Sequence, residues 1–173
     1  PALLALGLAL GRRLGWKLLF TGAGGPIERR LRAALSAAIA QLEAEGINRP
    51  TIAAALASFG LGVGARATLP PAPAEAKDVL DACLSAMANQ GARLISEGVA
   101  RRPSDFDAVA VLTGIFPRWQ GGPMFHADTR GLLVLRADLR RRAEAAPQIF
   151  APDPLFDRLI ADGRDFAALN RAD

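Results

Sequence analysis

The feature that most constrains this sequence is a pattern that occurs twice: a long amphipathic stretch, a Glu-Gly pair, a shorter apolar stretch and a glycine. The first copy covers residues 26–60, with Glu45-Gly46 in the middle, and the second covers residues 76–114, with Glu97-Gly98. Apolar residues in each long stretch recur at spacings of three and four, which is the period of one helix face. Because glycine commonly ends a helix, the pattern predicts two related helix pairs in tandem.

The opposite face of each long predicted helix carries small or polar residues. These are Arg29, Ala33, Ala37, Ala40 and Ala44 in the first copy, and Ala82, Ser85, Ala86, Asn89 and Arg93 in the second. Small side chains allow a neighbouring helix to approach closely. We therefore expect each long helix to pack on two sides.

The composition favours an all-α fold. Hydrophobic residues make up 51% of the 173-residue chain, tyrosine is absent and β-branched residues are sparse. The net charge is +4, but the arginines are scattered, which argues against a nucleic-acid partner. A single cysteine, Cys83, excludes an internal disulfide, and the apolar run of residues 2–6 is too short to span a bilayer. We expect a cytoplasmic protein with no membrane partner and no metal.

Local signals place the remaining helices. Ser104, with Asp107 three residues later, is typical of a helix start, and Thr129 could cap the next helix. Asp153-Pro154 predicts the start of a last helix that ends at Gly163. We expect the tail beyond Phe166 to be loose.

The segment from Gly114 to Asp128 combines glycines, prolines and aromatic residues. The glycines and prolines predict a bend between two helices. Phe116, Trp119 and Phe125 are expected to anchor this bend on the core. A structural loop without a ligand is the preferred interpretation, since most such turns are scaffolding.

This segment also carries a family resemblance, together with Asn89-Gln90-Gly91-Ala92-Arg93, Glu97-Gly98-Val99-Ala100 and Ser104-Asp105-Phe106-Asp107. It resembles the C-terminal helical region of 3-hydroxyacyl-CoA dehydrogenases, and in particular the multifunctional enzymes of fatty-acid β-oxidation. The resemblance is strongest from Lys77 to Asp128.

The resemblance implies an all-α fold with two tandem helical subdomains, of the type found at the C-terminus of 6-phosphogluconate dehydrogenase, related by a pseudo-twofold axis. Residues 1–24 would be the end of a nucleotide-binding α/β domain and a hinge. Residues 25–66 would form the first helical repeat, 67–75 a proline-containing linker, and 76–173 the second repeat. The chain is thus expected to be a fragment of a longer protein.

For function, the resemblance implies oxidation of a 3-hydroxyacyl-CoA by NAD. The catalytic residues and the NAD would belong to the upstream domain, so we expect no catalytic residue, cofactor or metal on this chain and no activity in isolation. The implied partners are the acyl-CoA substrate, the nucleotide-binding domain of the same chain, a thiolase subunit and a second copy. A degenerate helical interaction module without catalysis is the alternative.

Two residues are predicted to bind substrate. Arg29 stands where the family has an asparagine near the reacting carbonyl, and it could attract a thioester oxygen or a CoA phosphate. Asn89 matches the asparagine of a family Asn-Glu pair. Its default interpretation is a hydrogen bond to the backbone of the first unit, residues 25–66. His126, the only histidine, is interpreted as a packed residue and not as a catalyst.

The glycine-rich run from Thr21 to Pro26 allows two interpretations. Glycines between a strand and a helix can bind phosphate through helix amides. No second strand and no acidic ribose partner come after it, so a hinge between domains is preferred over a dinucleotide site.

Overall fold

The computed structural model describes residues 2–15, 26–62 and 69–171. All regular elements in these ranges are helical, which confirms the predicted all-α fold. The α-helices are α1 (Ala2–Leu14), α2 (Ile27–Ala44), α3 (Arg49–Phe59), α4 (Ala76–Ser96), α5 (Pro103–Leu112), α6 (Pro123–Arg130), α7 (Leu132–Ala143), α8 (Pro147–Phe150) and α9 (Pro154–Ala161). Short 3-10 turns cover Arg118–Gln120 and Ala167–Asn170. Across those ranges, no helix is both long and apolar enough to cross a membrane.

Helix α4 is the centre of the molecule. It packs against α2 and α3 on one side and against α6, α7, α8 and α9 on others. Its apolar stripe and its small-residue face are both buried, as the sequence predicted, and Met87 and Leu94 are fully inaccessible. The close approach of α6 is visible at Gly91, whose missing side chain leaves room for the thioether of Met124.

Helix α2 has one buried face instead of two. Ile27, Leu31, Ala38 and Leu42 are buried, whereas Arg29, Ala33, Ala40 and Ala44 on the opposite face are exposed. The prediction that this helix packs on two sides is therefore wrong for the described residues. Of the helices after α5, only the short α8 packs against α2 among the described residues, whereas α6, α7, α8 and α9 all pack against α4.

Two predicted caps have other roles. Helix α5 begins at Pro103 with Arg102 as the preceding residue, so Ser104 lies inside the helix instead of capping it. Thr129 lies within α6, where its hydroxyl donates to the carbonyl of Phe125 at 3.0 Å. Asp153 does cap α9, since its carboxylate accepts from the amide of Leu155 at 2.9 Å.

The C-terminal segment is packed, in contrast to the predicted loose tail. Phe166 is inaccessible to solvent and meets Phe156 edge to face, with ring centroids 5.4 Å apart. The carboxylate of Asp128 accepts from the amides of Phe166 at 2.9 Å and Ala167 at 2.8 Å. One buried aromatic side chain and one charged hydrogen-bond acceptor thus hold a short turn that the sequence pattern did not reveal.

Several predictions concern the N-terminal part and the division into domains. Helix α1 covers the predicted residues, but the expected strand from Lys17 to Phe20 and the glycine-rich run from Thr21 to Gly25 lie outside the described residues. Residues 69–75, the described part of the linker, contain no helix or strand. The domain boundaries and the pseudo-twofold axis stay predictions.

Candidate functional site

Arg29 lies in the first turn of α2 and its side chain is exposed. The two other arginines of this part of the helix are engaged: Arg30 pairs with Glu97, and Arg32 pairs with Glu28 one turn earlier. Among the described residues no carboxylate pairs with Arg29. Its guanidinium is therefore available to an anionic or carbonyl oxygen at the N-terminal end of α2.

The pair of Arg30 and Glu97 ties the start of α2 to the end of α4. A second contact joins Arg30 Nη2 to Glu97 Oε1 at 2.9 Å. This hydrogen bond lowers the pKa of Glu97 and raises that of Arg30. The amide oxygen of Gln90, in the orientation that satisfies both groups, also accepts from Arg30 Nη2 at 3.0 Å. The bridge fixes the helix turn that carries Arg29.

Asn89 is buried, and its side-chain amide forms hydrogen bonds with the backbone of the second unit, residues 76–173. It donates to the carbonyls of Ile149 at 3.2 Å and Ala151 at 2.9 Å, and it accepts from the amide of Asp153 at 2.9 Å. The expectation that Asn89 binds the backbone of the first unit is therefore wrong. The expectation that Asn89 has a structural role is right. Arg93 supports the same turn by donating to Ala151 at 2.9 Å. The predicted substrate role of Asn89 stays a prediction.

The structure does not bring Arg29 and Asn89 into one cavity. A shallow groove of about 190 Å³ lies between α2, α4 and α8, and it contains the alanines at positions 33, 34 and 37 together with Gln90, Arg93 and Gln148. Because residues four apart lie on the same helix face, Arg29 stands one turn before Ala33 at the end of this groove. Asn89 points instead into the turn between α8 and α9.

The segment from Gly114 to Asp128 forms the predicted bend. Gly121 and Gly122 both have positive φ, of 79° and 120°. A side chain on Gly122 would clash with Asp107, so glycine is required there for two reasons. Asp107 accepts from the first amides of α6, Met124 at 2.7 Å and Phe125 at 3.1 Å. It thus caps a helix that has no side-chain cap of its own.

Only one of the three predicted aromatic anchors is buried. Phe116 is 2% exposed, whereas Trp119 is 52% and Phe125 is 60% exposed. The exposed rings lie over glycines instead: a side chain on Gly60 would come within 2.7 Å of the Trp119 ring, and Phe125 lies over Gly121. The expectation of three core anchors is wrong for Trp119 and Phe125. Each of these rings packs on a glycine at the surface instead of entering the core.

His126 joins the first unit to the bend by aromatic packing. Its ring meets Phe59 of α3 at 5.4 Å and Phe116 at 6.4 Å between centroids, both edge to face. Burial lowers the pKa of His126, and Arg130 lowers it further against an opposing effect of Asp81. The ring is packed, in agreement with the interpretation from sequence, and its surroundings disfavour the charged form.

Burial limits the reactivity of Cys83, and the described part of the chain holds no group of metal-binding side chains. Burial raises the pKa of the Cys83 thiol to about 12, so it is not a nucleophile at neutral pH. Within those ranges, no three His, Cys, Asp or Glu side chains are grouped to hold a metal ion. The described residues contain no strand from which a strand–turn–helix nucleotide cradle could be built.

Sequence reasoning missed the Arg30–Glu97 bridge and the cap by Asp107. A signal was present for the second: Gly121-Gly122-Pro123 supplies no side chain to satisfy the first amides of α6, so the acceptor had to come from elsewhere. The bridge has no comparable local signal, since it joins residues 67 positions apart.

No family model matches this chain. Several curated proteins are similar to about half of it. The chain is 35% identical over 89 residues to the peroxisomal bifunctional enzyme of Danio rerio, which is 50% of this chain and 12% of the relative. It is 31% identical over 91 residues to the fatty acid oxidation complex subunit alpha of Idiomarina loihiensis, or 53% of this chain and 13% of the relative.

A third match, 31% identical over 87 residues, is the peroxisomal fatty acid beta-oxidation multifunctional protein of Arabidopsis thaliana, again 50% of this chain and 12% of the relative. The chain thus spans about an eighth of the length of the curated relatives that it matches. In those relatives this region shares one chain with much more sequence. The predicted resemblance is confirmed: half of this chain is similar to multifunctional proteins of fatty acid β-oxidation.

Proposed function

We propose that this chain is the C-terminal substrate-cleft and assembly region of an NAD-dependent 3-hydroxyacyl-CoA dehydrogenase that acts in fatty acid β-oxidation. The observation that carries the proposal is the similarity of half the chain to the multifunctional β-oxidation proteins. The all-helical architecture of the described residues agrees with the helical fold that the resemblance implies.

In this proposal the complete protein oxidises a 3-hydroxyacyl-CoA to the 3-ketoacyl-CoA, and NAD accepts the hydride. In the proposal, the NAD is bound by an upstream domain of the same protein, as the resemblance implies. The isolated chain is expected to be inactive. Acyl-CoA and the upstream domain are the primary partners, and a thiolase subunit and a second copy are further ones.

Arg29 is the residue of this chain that faces the substrate in the proposal. Its exposed guanidinium lies at the N-terminal end of α2, where the helix dipole adds to the positive potential. Two chemical targets fit: the thioester oxygen and a phosphate of CoA. The bridge between Arg30 and Glu97 holds the same turn of α2 in place, so it orients Arg29 without touching substrate.

The alternative is an interaction module that kept the helical core and lost catalysis. Arg29 itself is the observation in its favour, because an arginine cannot accept the hydrogen bond that an asparagine amide could accept. The two functions differ in one measurable property, which is oxidation of substrate by the full-length protein.

The test is NAD-dependent oxidation of 3-hydroxybutyryl-CoA and of a longer 3-hydroxyacyl-CoA by the full-length protein, compared with its Arg29→Asn and Arg32→Asn variants. Arg32 is the matched control, because it lies on the same helix and is paired with Glu28. We expect activity in the wild type, a raised KM in Arg29→Asn and no change in Arg32→Asn.

Other outcomes separate the two functions. An inactive wild type with an active Arg29→Asn variant identifies a decayed enzyme. Inactivity of both proteins favours the interaction module. Equal KM values in the wild type and in Arg29→Asn, with activity in both, would leave the dehydrogenase intact and remove Arg29 from the substrate site.

A further inference from the structure

The outer side of the first unit carries an open groove between α2 and α3. Its volume is about 360 Å³, and among the described residues only these two helices line it. Ser36 and Ala40 lie two positions before and after the buried Ala38, so they are on the face of α2 opposite the core. The apolar members of the groove are Ile39, Ile52 and Leu56, and the small exposed ones are Ser36, Ala40 and Ala53.

In the second unit a helix fills the equivalent groove. Counted back from the Glu-Gly pairs, Ile39 of α2 corresponds to Gly91 of α4. Helix α6 packs against both α4 and α5, and its Met124 is fully buried over Gly91. The groove of such a helix pair is therefore a surface on which a further helix packs, and in the first unit the described part of the chain leaves it uncovered.

The charges of α2 are divided between its two ends. Its first turns carry Arg29, Arg30 and Arg32, whereas its C-terminal end carries Glu43 and Glu45 and has no basic residue in the last turn. Two copies of α2 packed antiparallel would place the basic half of each helix beside the acidic end of the other, with their helix dipoles opposed. The helix is thus complementary in charge to a second copy of itself.

The end of the groove adds one exposed ion pair. Glu43 accepts from Arg49 of α3 at 2.7 Å, and the arginine side chain of this pair is 81% exposed. Such a pair contributes little stability, so Glu43 can exchange its partner at small cost. The pair is therefore no obstacle to a second helix.

The shape of this face is self-complementary as well. Ile39 is the largest apolar side chain on the outward face of α2 and stands beside the small residues Ser36 and Ala40. In a twofold pair, residues equally far from the axis face each other. With the axis near the middle of α2, Ile39 of each copy faces Ser36 of the other, where a small side chain leaves room for it.

We propose that a second copy of this chain binds in the groove between α2 and α3, so that two α2 helices pack antiparallel about a twofold axis near residues 36–40. Burial of the apolar groove drives the association, and the opposed charges fix its orientation. This dimer rests on the proposed function in one respect, since a second copy is among the partners proposed there. It gives that partner a place on the surface.

The experiment is sedimentation velocity of the full-length protein without substrate, from about 1 to about 100 µM. The mass of the wild type is expected to rise from that of one copy toward that of two. Ala40→Arg and Ala53→Arg, on opposite walls of the groove, should each raise the dimer Kd at least about tenfold, because they fill the groove and bury a charge. Both positions are exposed in the single copy, so either variant should fold.

Ala44→Arg is the matched control. It places the same side chain at an exposed position of the same helix, but Ala44 does not line the groove. This variant should associate as the wild type does.

The orientation is tested with a short bismaleimide cross-linker. Ser36→Cys should link position 36 of one copy to position 36 of the other, since both lie near the axis. Glu45→Cys should not link to itself, because antiparallel packing separates the two helix ends by about 20 Å. Cys83 is fully buried and does not compete for the reagent.

Three results would overturn the proposal: a wild type that stays monomeric up to about 100 µM, a dimer that both groove variants leave intact, or a link at Glu45→Cys without one at Ser36→Cys. The assay of NAD-dependent oxidation is separate from these measurements. An active monomer would overturn the dimer and leave the dehydrogenase, whereas an inactive dimer formed through the groove would support the dimer and remove the dehydrogenase.

Discussion

Helix α2 and helix α4 end in the same three backbone hydrogen bonds, yet four of 18 residues are buried in α2 and 13 of 21 in α4. In α2 the amides of Glu45, Gly46 and Ile47 donate four, three and five residues back along the chain. The amides of Glu97, Gly98 and Val99 repeat these offsets at the end of α4. Repeated local sequence thus produced the same helix end in two different environments.

The difference in burial comes from the part of the chain that lies beyond each helix pair. After α3 the chain passes to the linker, whereas after α5 it continues through α6, α7, α8 and α9, all of which pack against α4. Local sequence decides where a helix stops, but the later chain decides how many of its faces are covered. The same pattern can therefore specify a central helix or a peripheral one.

The largest expected effect is at the residue that most distinguishes the two helices. Asn89 lies eight residues before the Glu-Gly pair of α4, and the residue at the same place in α2 is Ala37. Asn89→Ala leaves the half-buried carbonyl of Ile149 and the amide of Asp153 without their partner, and leaves the carbonyl of Ala151 with Arg93 alone. We expect a loss of about 3 kcal/mol in the free energy of unfolding, measured by urea denaturation.

Ala37→Asn is the control for this substitution. Ala37 is half-buried in the shallow groove between α2, α4 and α8, so the new amide can reach water there and the cost should stay below about 1 kcal/mol. If Asn89→Ala proves as mild as Ala37→Asn and lowers turnover instead, then Asn89 has the substrate role that the resemblance predicted.

Features that depend on neighbouring residues were predictable from the sequence. The period of three and four located α2 and α4, and glycines at positive φ ended them where expected. Asp153-Pro154 marked the start of α9 in the same way. These signals are local because a helix end needs only its own backbone and a residue that tolerates the turn.

Features that depend on contacts across the fold were not predictable. Asp107 caps α6 from a different helix, and Asp128 holds a turn 38 residues away. The Trp119 ring packs on Gly60 of the first unit at the surface and does not enter the core. The candidate site shows the same limit: the sequence singled out Arg29, but the bridge that fixes its helix turn pairs residues whose proximity only the fold determines.

A smaller effect tests whether the two helix ends are equivalent. Gly46 and Gly98 have φ of 95° and 70°, and a methyl group on either would meet no other atom within 4 Å. Alanine at each should cost about 1 kcal/mol, because only the strained backbone conformation opposes it. Equal losses in urea denaturation are expected. A cost at Gly98 well above that at Gly46 would show that the crowded surroundings of α4 reach its terminus.

The smallest effect concerns the glutamate that directly follows each long helix. Glu97 binds Arg30 of the other unit, whereas its counterpart Glu45 accepts from Gln41 of its own helix. Since Arg30 lowers the pKa of Glu97, the bridge stabilises the fold above the ordinary carboxyl pKa and this contribution is lost as the pH falls through the lowered value.

Both side chains of the bridge are partly exposed, so solvent screening limits the gain. We expect Glu97→Gln to cost about 0.5 kcal/mol near pH 7 and less near pH 3, and Glu45→Gln to cost nothing at either pH, as measured by urea denaturation. The Glu97 effect should also shrink in about 1 M salt, because screening weakens an exposed ion pair and leaves packing unchanged. An effect independent of both pH and salt would mean that α2 and α4 are joined by their apolar faces alone.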